Sequence, residues 1–319
     1  MAYLHDADEI IPRLWLGSGE AAESPFFLAD HKITHVLSVI FYTVKIPLES
    51  VQQKVISIMD QPGEDLLGHL NEAFSFINDG LESGGAVLVH CAMGVSRSSA
   101  TVIAYIMNKE QCTLDEALLR VKEKHSQTCP NEGFMEQLRL FEAMGCQCNP
   151  GNSLFKQHRL AHLAEEIQSK ADLPEDLLAS DPHTADDGSN DALYRCRKCR
   201  RALFRQSSVI AHSQGKGLSS FGWHKQVKQQ GQSPQVNVTG QGGQRDLASS
   251  SCTSVFIEPV SWMESFLLGV NEGKISCPKC SSRLGSFNWS GQQCSCGVWM
   301  TPAFQVHLNR VDRMTPIVR

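Results

Sequence analysis

At 319 residues the chain is long for one domain and comfortable for two, at about 100–200 residues per domain. With 41% hydrophobic and 20% charged residues it is neither collagen-like, mucin-like nor wholly disordered. Its apolar runs, such as Val36 to Ile40, fall far short of the ~20 residues of a membrane-spanning helix, so no membrane partner is expected. The net charge of −5 hides a division: residues 1–150 hold 10 Lys+Arg against 20 Asp+Glu, and residues 191–319 hold 16 against 6. The opening MAYLHDADEI has acidic residues where a secretion signal carries basic ones, which predicts an intracellular, reducing setting. Twelve cysteines then read as metal ligands or nucleophiles, not disulfides.

In chain order, residues 10–145 alternate short β-branched runs with helical patterns, which predicts an α/β domain with a central, mostly parallel sheet flanked by helices. Thr34 to Ile40 reads as a buried strand. Over Asp65 to Leu81, Leu66, Leu70, Phe74, Ile77 and Leu81 recur every three or four residues, as on the apolar face of a helix. Gly84-Gly85 ends that region, Ala86 to His90 reads as the next strand, and Ser98 to Lys109 returns to helical spacing. Thr113 with Glu116 forms a capping box that opens another helix. The expected boundaries are a first domain over 1–148, a linker over 149–190 with a short helix around Leu160 to Gln168, and a second domain over 191–319. The Gly, Gln and Ser-rich stretch 214–250 reads as a flexible insertion in that second domain. Cys146 and Cys148 read as a solvated helix end.

The sharpest local feature lies between a predicted strand and a predicted helix: His90-Cys91-Ala92-Met93-Gly94-Val95-Ser96-Arg97-Ser98. Five residues between Cys91 and Arg97 let the backbone curl so that successive N–H groups meet at one centre, a nest for an anion at a helix N-terminus. Gly94 permits the tight turn, and the planar Arg97 fork holds two phosphate oxygens. The same positive field lowers a thiol from about 8.5 into the range 3.5–7.5, which makes Cys91 a nucleophile at neutral pH. Ser98 is placed to donate a hydrogen bond to the sulfur as it leaves, and His90 to brace the loop from behind.

The segment HCAMGVSRSSATVIAYIM resembles the active-site segment of the dual-specificity subgroup of cysteine-dependent protein phosphatases. Ile11 to Ser18 resembles that family's opening strand, Ile33 to Leu37 its next one, and Pro130-Asn131-Glu132-Gly133-Phe134 the start of its last helix. The resemblance covers about residues 10–145. It implies a cysteine-phosphatase fold that hydrolyses phosphotyrosine and phosphoserine/threonine in proteins through a phosphocysteine, with no metal needed for catalysis. It also implies a general acid. Asp60, 31 residues before Cys91 in Met59-Asp60-Gln61-Pro62-Gly63, stands where the family carries one. Asp65 is the rival, although an Asp just before Leu66-Leu67 suits an N-cap. Ala92, Met93, Val95 and Ser96 are uncharged, whereas relatives acting on inositol phospholipids carry lysines there, so the resemblance favours phosphoprotein substrates.

The C-terminal cysteines form Cys196-x2-Cys199, Cys277-x2-Cys280 and Cys294-x-Cys296, with Cys252 besides. Such pairs present two thiolates on one knuckle, as structural zinc requires. Two tetrahedral ions need eight donors, so seven cysteines call for one histidine. Among His212, His224 and His307, Cys196-x2-Cys199-x12-His212 has finger-like spacing. Sequence order groups Cys277, Cys280, Cys294 and Cys296 at one zinc, with Cys196, Cys199, His212 and Cys252 at the other; an interleaved pairing is the alternative. Arg195, Arg197, Lys198, Arg200, Arg201 and Arg205 crowd the first knuckle, a basic face suited to an acidic partner. Family members with this cysteine-rich extension imply a place in nucleus and cytosol and a role in large ribosomal subunit assembly, through ribosomal RNA or a pre-ribosomal particle.

Overall fold

The computed structural model describes residues 7–167, 178–184, 191–212, 252–267 and 269–315; the expected insertion 214–250 lies outside them. The chain divides into two compact units, Met1–Phe155 and Lys156–Arg319.

In the first unit, β1 (Ala7–Ile11) and β2 (Leu14–Gly17) form a hairpin around Arg13, whose φ is 69°. Helices α1 (Gly19–Glu23) and α2 (Pro25–Asp30) lead to β3 (Ile33–Val39) and β4 (Gln52–Ile56). After α3 (Leu70–Glu82) come β5 (Ala86–His90), α4 (Arg97–Glu110), α5 (Leu114–Lys124) and α6 (Glu132–Ala143). The sheet order is β1-β2-β5-β3-β4, parallel throughout except for the β1-β2 hairpin. The expected mostly parallel sheet is therefore present.

Strand β5 is buried along its whole length because it has a layer on each face. Val87 and Val89 pack with α3, α4 and α6 residues such as Ile77, Ile103 and Phe134, while Ala86 and Leu88 pack with Ala22 and Phe27 from the other layer. Continuous burial is why the strand reads Ala-Val-Leu-Val without polar alternation. The capping box forms as expected, with Thr113 Oγ1 accepting from Glu116 N–H and Glu116 accepting from Thr113 N–H. Cys146 and Cys148 are not solvated: both are 6% exposed within the core. Gly145, at φ 74°, folds the chain back after α6, and the Cys148 thiol tucks under Leu67, where burial pushes it up to about 12.

The second unit is built from small antiparallel sheets. Helix α7 (Ser153–Ile167) begins inside the stretch expected to be linker, so the first part of that stretch is ordered helix. Leu160 carries the reason, since it is 2% exposed and packs with Ile210, Phe256 and Met300. The strands that follow are β6 (Leu193–Cys196), β7 (Ala202–Arg205), β8 (Val209–Ile210), β9 (Ser254–Ile257), β10 (Glu272–Ser276), β11 (Arg283–Asn288), β12 (Gln292–Gln293), β13 (Trp299–Met300), β14 (Ala303–His307) and β15 (Val311–Met314). They assemble as β10-β11-β14-β9-β8, β15-β6-β7 and β12-β13. Stacked Phe287 and Phe304, with Trp289 edge-on to Phe304, fill the core. Among the described residues no helix is long and apolar enough to cross a membrane.

Candidate active site and metal clusters

Strand β5 delivers Cys91 to the carboxyl edge of the parallel strands, where ligand crevices form in such sheets, and α4 starts at Arg97. What makes the intervening loop a nest is visible in its carbonyls. Cys91 O accepts from His90 Nδ1 (3.2 Å), Ala92 O from Gly19 N–H (3.2 Å), and Val95 O from Cys129 N–H (2.8 Å). Gly94 O accepts from Ser99 Oγ (2.7 Å) and His125 Nε2 (3.1 Å). Because C=O and N–H of a trans peptide point in opposite directions, tying these four carbonyls outside turns the N–H groups of Ala92, Met93, Val95 and Ser96 inward. Gly94 is obligatory here: its φ is 74°, and a Cβ would come within 3.0 Å of the Gly17 carbonyl.

At the centre, Cys91 is 1% exposed and its sulfur accepts a hydrogen bond from Ser98 Oγ at 3.1 Å. Burial opposes a thiolate. The Ser98 hydroxyl, the backbone N–H groups of Ser98 and Met93, and the Arg97 charge outweigh it, so the thiol sits below its ordinary value. Arg97 is itself buried, with Nη1 bonded to Ile58 O and Nε carrying no hydrogen bond. A buried guanidinium nitrogen that donates no hydrogen bond costs free energy until an acceptor meets it. Behind the loop, Gln53 Nε2 donates to Ser38 Oγ (3.1 Å), which pairs with His90 Nε2 (2.7 Å). Since Cys91 O only accepts, His90 carries its proton on Nδ1 and takes the Ser38 hydroxyl at Nε2. Burial lowers His90 to about 4, so it remains a neutral brace.

Asp60 lies against the same loop. Its Oδ1 accepts from Ser96 Oγ (2.6 Å) and Asn131 Nδ2 (2.9 Å), and its Oδ2 is 3.9 Å from Arg97 Nε. Asn131 also caps α6, with Oδ1 accepting from Phe134 N–H. Helix α6 presses directly on the acid loop: a Cβ at Gly133 would stand 2.0 Å from Pro62 O. Asp65 instead caps its own turn, accepting from Gly68 N–H at 2.8 Å. The structure thus gathers His90 to Ser98 with Asp60, and adds Ser38, Gln53, Ser99, His125 and Asn131, which sequence reasoning missed. Only Asn131 left a signal there, in the Pro-Asn-Glu-Gly-Phe segment.

Two clusters in the second unit could each hold a metal ion: Cys196, Cys199, Cys277 and Cys280, and His212, Cys252, Cys294 and Cys296. All eight residues expected as ligands fall in these two clusters, and they are grouped in the interleaved way and not in sequence order. The reason is antiparallel packing. The β6-β7 and β10-β11 turns, carrying one Cys-x2-Cys each, meet face to face, while pairing of β8 with β9 brings His212 and Cys252 together beside the β12-β13 turn. His307 is engaged elsewhere, with Nδ1 2.9 Å from Ser254 Oγ. His224 lies outside the described residues.

The donor geometry suits zinc. A tetrahedron with Zn–S bonds of about 2.3 Å has S···S edges of about 3.8 Å and S···N edges of about 3.5 Å. Observed separations are 3.8 Å (Cys196–Cys280), 3.6 Å (Cys199–Cys277), 3.5 Å (Cys252–His212) and 3.4 Å (Cys296–His212). Burial and the neighbouring thiols push Cys252 and Cys277 up to about 12, a conflict that a cation among the sulfurs removes.

Residues 14–144 match the family model for the dual specificity phosphatase catalytic domain. The chain is 46% identical over 312 residues to dual specificity protein phosphatase 12 of Rattus norvegicus, covering 97% of this chain and 88% of that protein. It is 42% identical over 311 residues to the Homo sapiens protein of the same name, covering 96% and 88%. The chain belongs to the dual specificity phosphatase family. The tyrosine-protein phosphatase YVH1 of Saccharomyces cerevisiae is also similar, at 35% identity over 318 residues covering 89% of this chain and 85% of that one. These likenesses run through the cysteine clusters as well as the catalytic unit, and they make this chain a dual-specificity protein phosphatase acting on phosphoproteins.

Proposed function

We propose that phosphotyrosine and phosphoserine/threonine in proteins are hydrolysed here in two displacements, Cys91 acting as nucleophile and Asp60 as acid and then base. The Cys91 thiolate attacks phosphorus in line, and the P–O bond to the leaving group breaks as Asp60 gives that oxygen its proton. Water then attacks phosphocysteine, Asp60 takes the water's proton, and Ser98 Oγ stabilises the departing thiolate. The inward N–H groups and Arg97 stabilise charge on the equatorial oxygens. The observation that carries this reading is the loop whose carbonyls are tied outward around Cys91. Both donors to Asp60 sit on Oδ1, which leaves Oδ2 to hold the transferred proton.

The test of the acid is leaving-group dependence. Asp60→Asn should lower kcat by about 10²–10⁴ for alkyl and other poor leaving groups and far less for nitrophenolate. Asp65→Asn should leave kcat near wild type. The reverse pattern reassigns the acid.

The eight clustered donors support two structural zinc ions, one per cluster. A second function is favoured by a cleft of about 730 Å³ on the second unit, lined by Arg195, Arg200, Arg205 and His183 among others. Arg197 and Arg200 pair with Asp312, and Arg201 with Asp181, which neutralises part of the expected basic face. Arg195 keeps a buried Nε with no partner. The cleft supports contact with RNA phosphates, as in a pre-ribosomal particle, for a protein working in nucleus and cytosol. Affinity of the full chain for ribosomal RNA should then fall steeply with salt, and Arg195→Ala should reduce the slope of log K against log salt by about 1. Salt-independent binding removes this reading.

A further inference from the structure

His125 ends α5, where its backbone N–H bonds Val121 O, and its ring is 1% exposed behind the catalytic loop. Nδ1 lies 2.7 Å from Asp8 Oδ2 on β1 and Nε2 lies 3.1 Å from Gly94 O. A carbonyl only accepts, so the contact with Gly94 O is made by a hydrogen on Nε2, and Nδ1 donates to the Asp8 carboxylate when the ring is protonated. Gln127 Nε2 lies 3.0 Å from the same His125 nitrogen; with that amide turned about its last bond, its oxygen and Gly94 O share the Nε2–H. Of the four tied loop carbonyls, Gly94 O is the one held by two side chains, His125 and Ser99, and by no backbone N–H. The others answer to a backbone N–H or to the adjacent His90.

We propose that His125, anchored by Asp8, is a positioning residue for phosphoryl transfer: by holding the Gly94 carbonyl outward it keeps the Val95 N–H aimed at an equatorial phosphoryl oxygen. The proposal rests on the catalytic-loop reading above. It assigns to a residue 34 positions beyond Cys91 a share in oxyanion binding without contact with substrate. Asp8, half exposed at the sheet edge, becomes the outermost member of a relay that runs Asp8, His125, Gly94, Val95.

The experiment measures vanadate inhibition and kcat/KM on the full chain for His125→Phe, His125→Gln, Ser99→Ala and Asp8→Asn, with thermal unfolding of each. Phenylalanine fills the space without donating, whereas glutamine can still reach Gly94 O through its amide nitrogen. Removal of one oxyanion donor costs about 10²–10³ elsewhere; with Ser99 still holding the carbonyl, His125→Phe should weaken vanadate by about tenfold. Adding Ser99→Ala should bring the loss to about 10²-fold, more than the two single effects multiplied. His125→Gln should recover most of it. Vanadate affinity unchanged in a folded His125→Phe, or a glutamine variant no better than phenylalanine, overturns the proposal. If His125→Phe does not fold, Asp8→Asn at the half-exposed end decides by the same readout: weaker vanadate supports the relay, and unchanged affinity overturns it. A wild-type protein that vanadate does not inhibit fails the catalytic-loop reading instead.

Discussion

Replacing Cys91 by serine is expected to lower kcat for aryl phosphates by at least about 10⁴-fold, the scale on which removal of a catalytic nucleophile acts, while vanadate and phosphate still bind. A serine hydroxyl preserves the shape of the site and its contact with Ser98, but stays protonated at neutral pH. Cys91 differs because the Ser98 hydroxyl, two backbone N–H groups and Arg97 overcome its burial and hold the thiol below its ordinary value. The sign follows directly: the thiolate forms at lower pH than in a free thiol, so kcat/KM rises with pH through the Cys91 ionisation, and that rise lies at lower pH than an ordinary thiol would give. Inactivation by iodoacetate should follow the same curve, at a lower midpoint than an ordinary thiol such as free cysteine. A serine variant with wild-type turnover sinks the mechanism; a Cys91 that alkylates only at the pH of free cysteine sinks the account of its activation.

The second large effect is metal removal. Zinc in structural sites contributes about 10–16 kcal/mol of apparent binding free energy to folding in small domains. Chelation should therefore abolish the cooperative unfolding transition of the unit Lys156–Arg319. Metal analysis of the full chain should give two zinc ions, and fewer than two removes the scheme. Single substitutions separate the pairings. With interleaved ligands, Cys280→Ser unmasks Cys196 and Cys199 to alkylation while Cys294 and Cys296 stay protected. With ligands grouped in sequence order, Cys280→Ser unmasks Cys294 and Cys296 and spares Cys196 and Cys199.

The contrast between the two sites shows which physics a sequence displays. The catalytic loop is local: strand Ala86–His90, loop and helix Arg97–Glu110 are contiguous, so one stretch of residues states its own chemistry. The Thr113–Glu116 box is local in the same sense. The grouping of the cysteines, by contrast, depended on packing between distant strands. Which cysteine knuckles meet is decided by the packing of the β15-β6-β7 sheet against the β10-β11-β14-β9-β8 sheet, which no spacing within a knuckle encodes. Ser38 and Gln53 reach His90 only because β3 lies between β4 and β5. His125 comes from a helix terminus and Asn131 from a helix cap, where such residue types usually serve the backbone alone. The cysteines at 146 and 148 looked solvated because the turn that buries them depends on a positive φ at Gly145.

His212 and Cys252, 40 positions apart, approach to 3.5 Å within one cluster. Whatever connects them is therefore closed at its base by the same contact that completes the ligand set. The entropy of closing a flexible loop grows only with the logarithm of its length, about 0.6 kcal/mol for each doubling. Growth or shrinkage of the segment between these two ligands is thus thermodynamically cheap. Strands β8 and β9 should therefore keep their pairing across a wide range of lengths of chain between them.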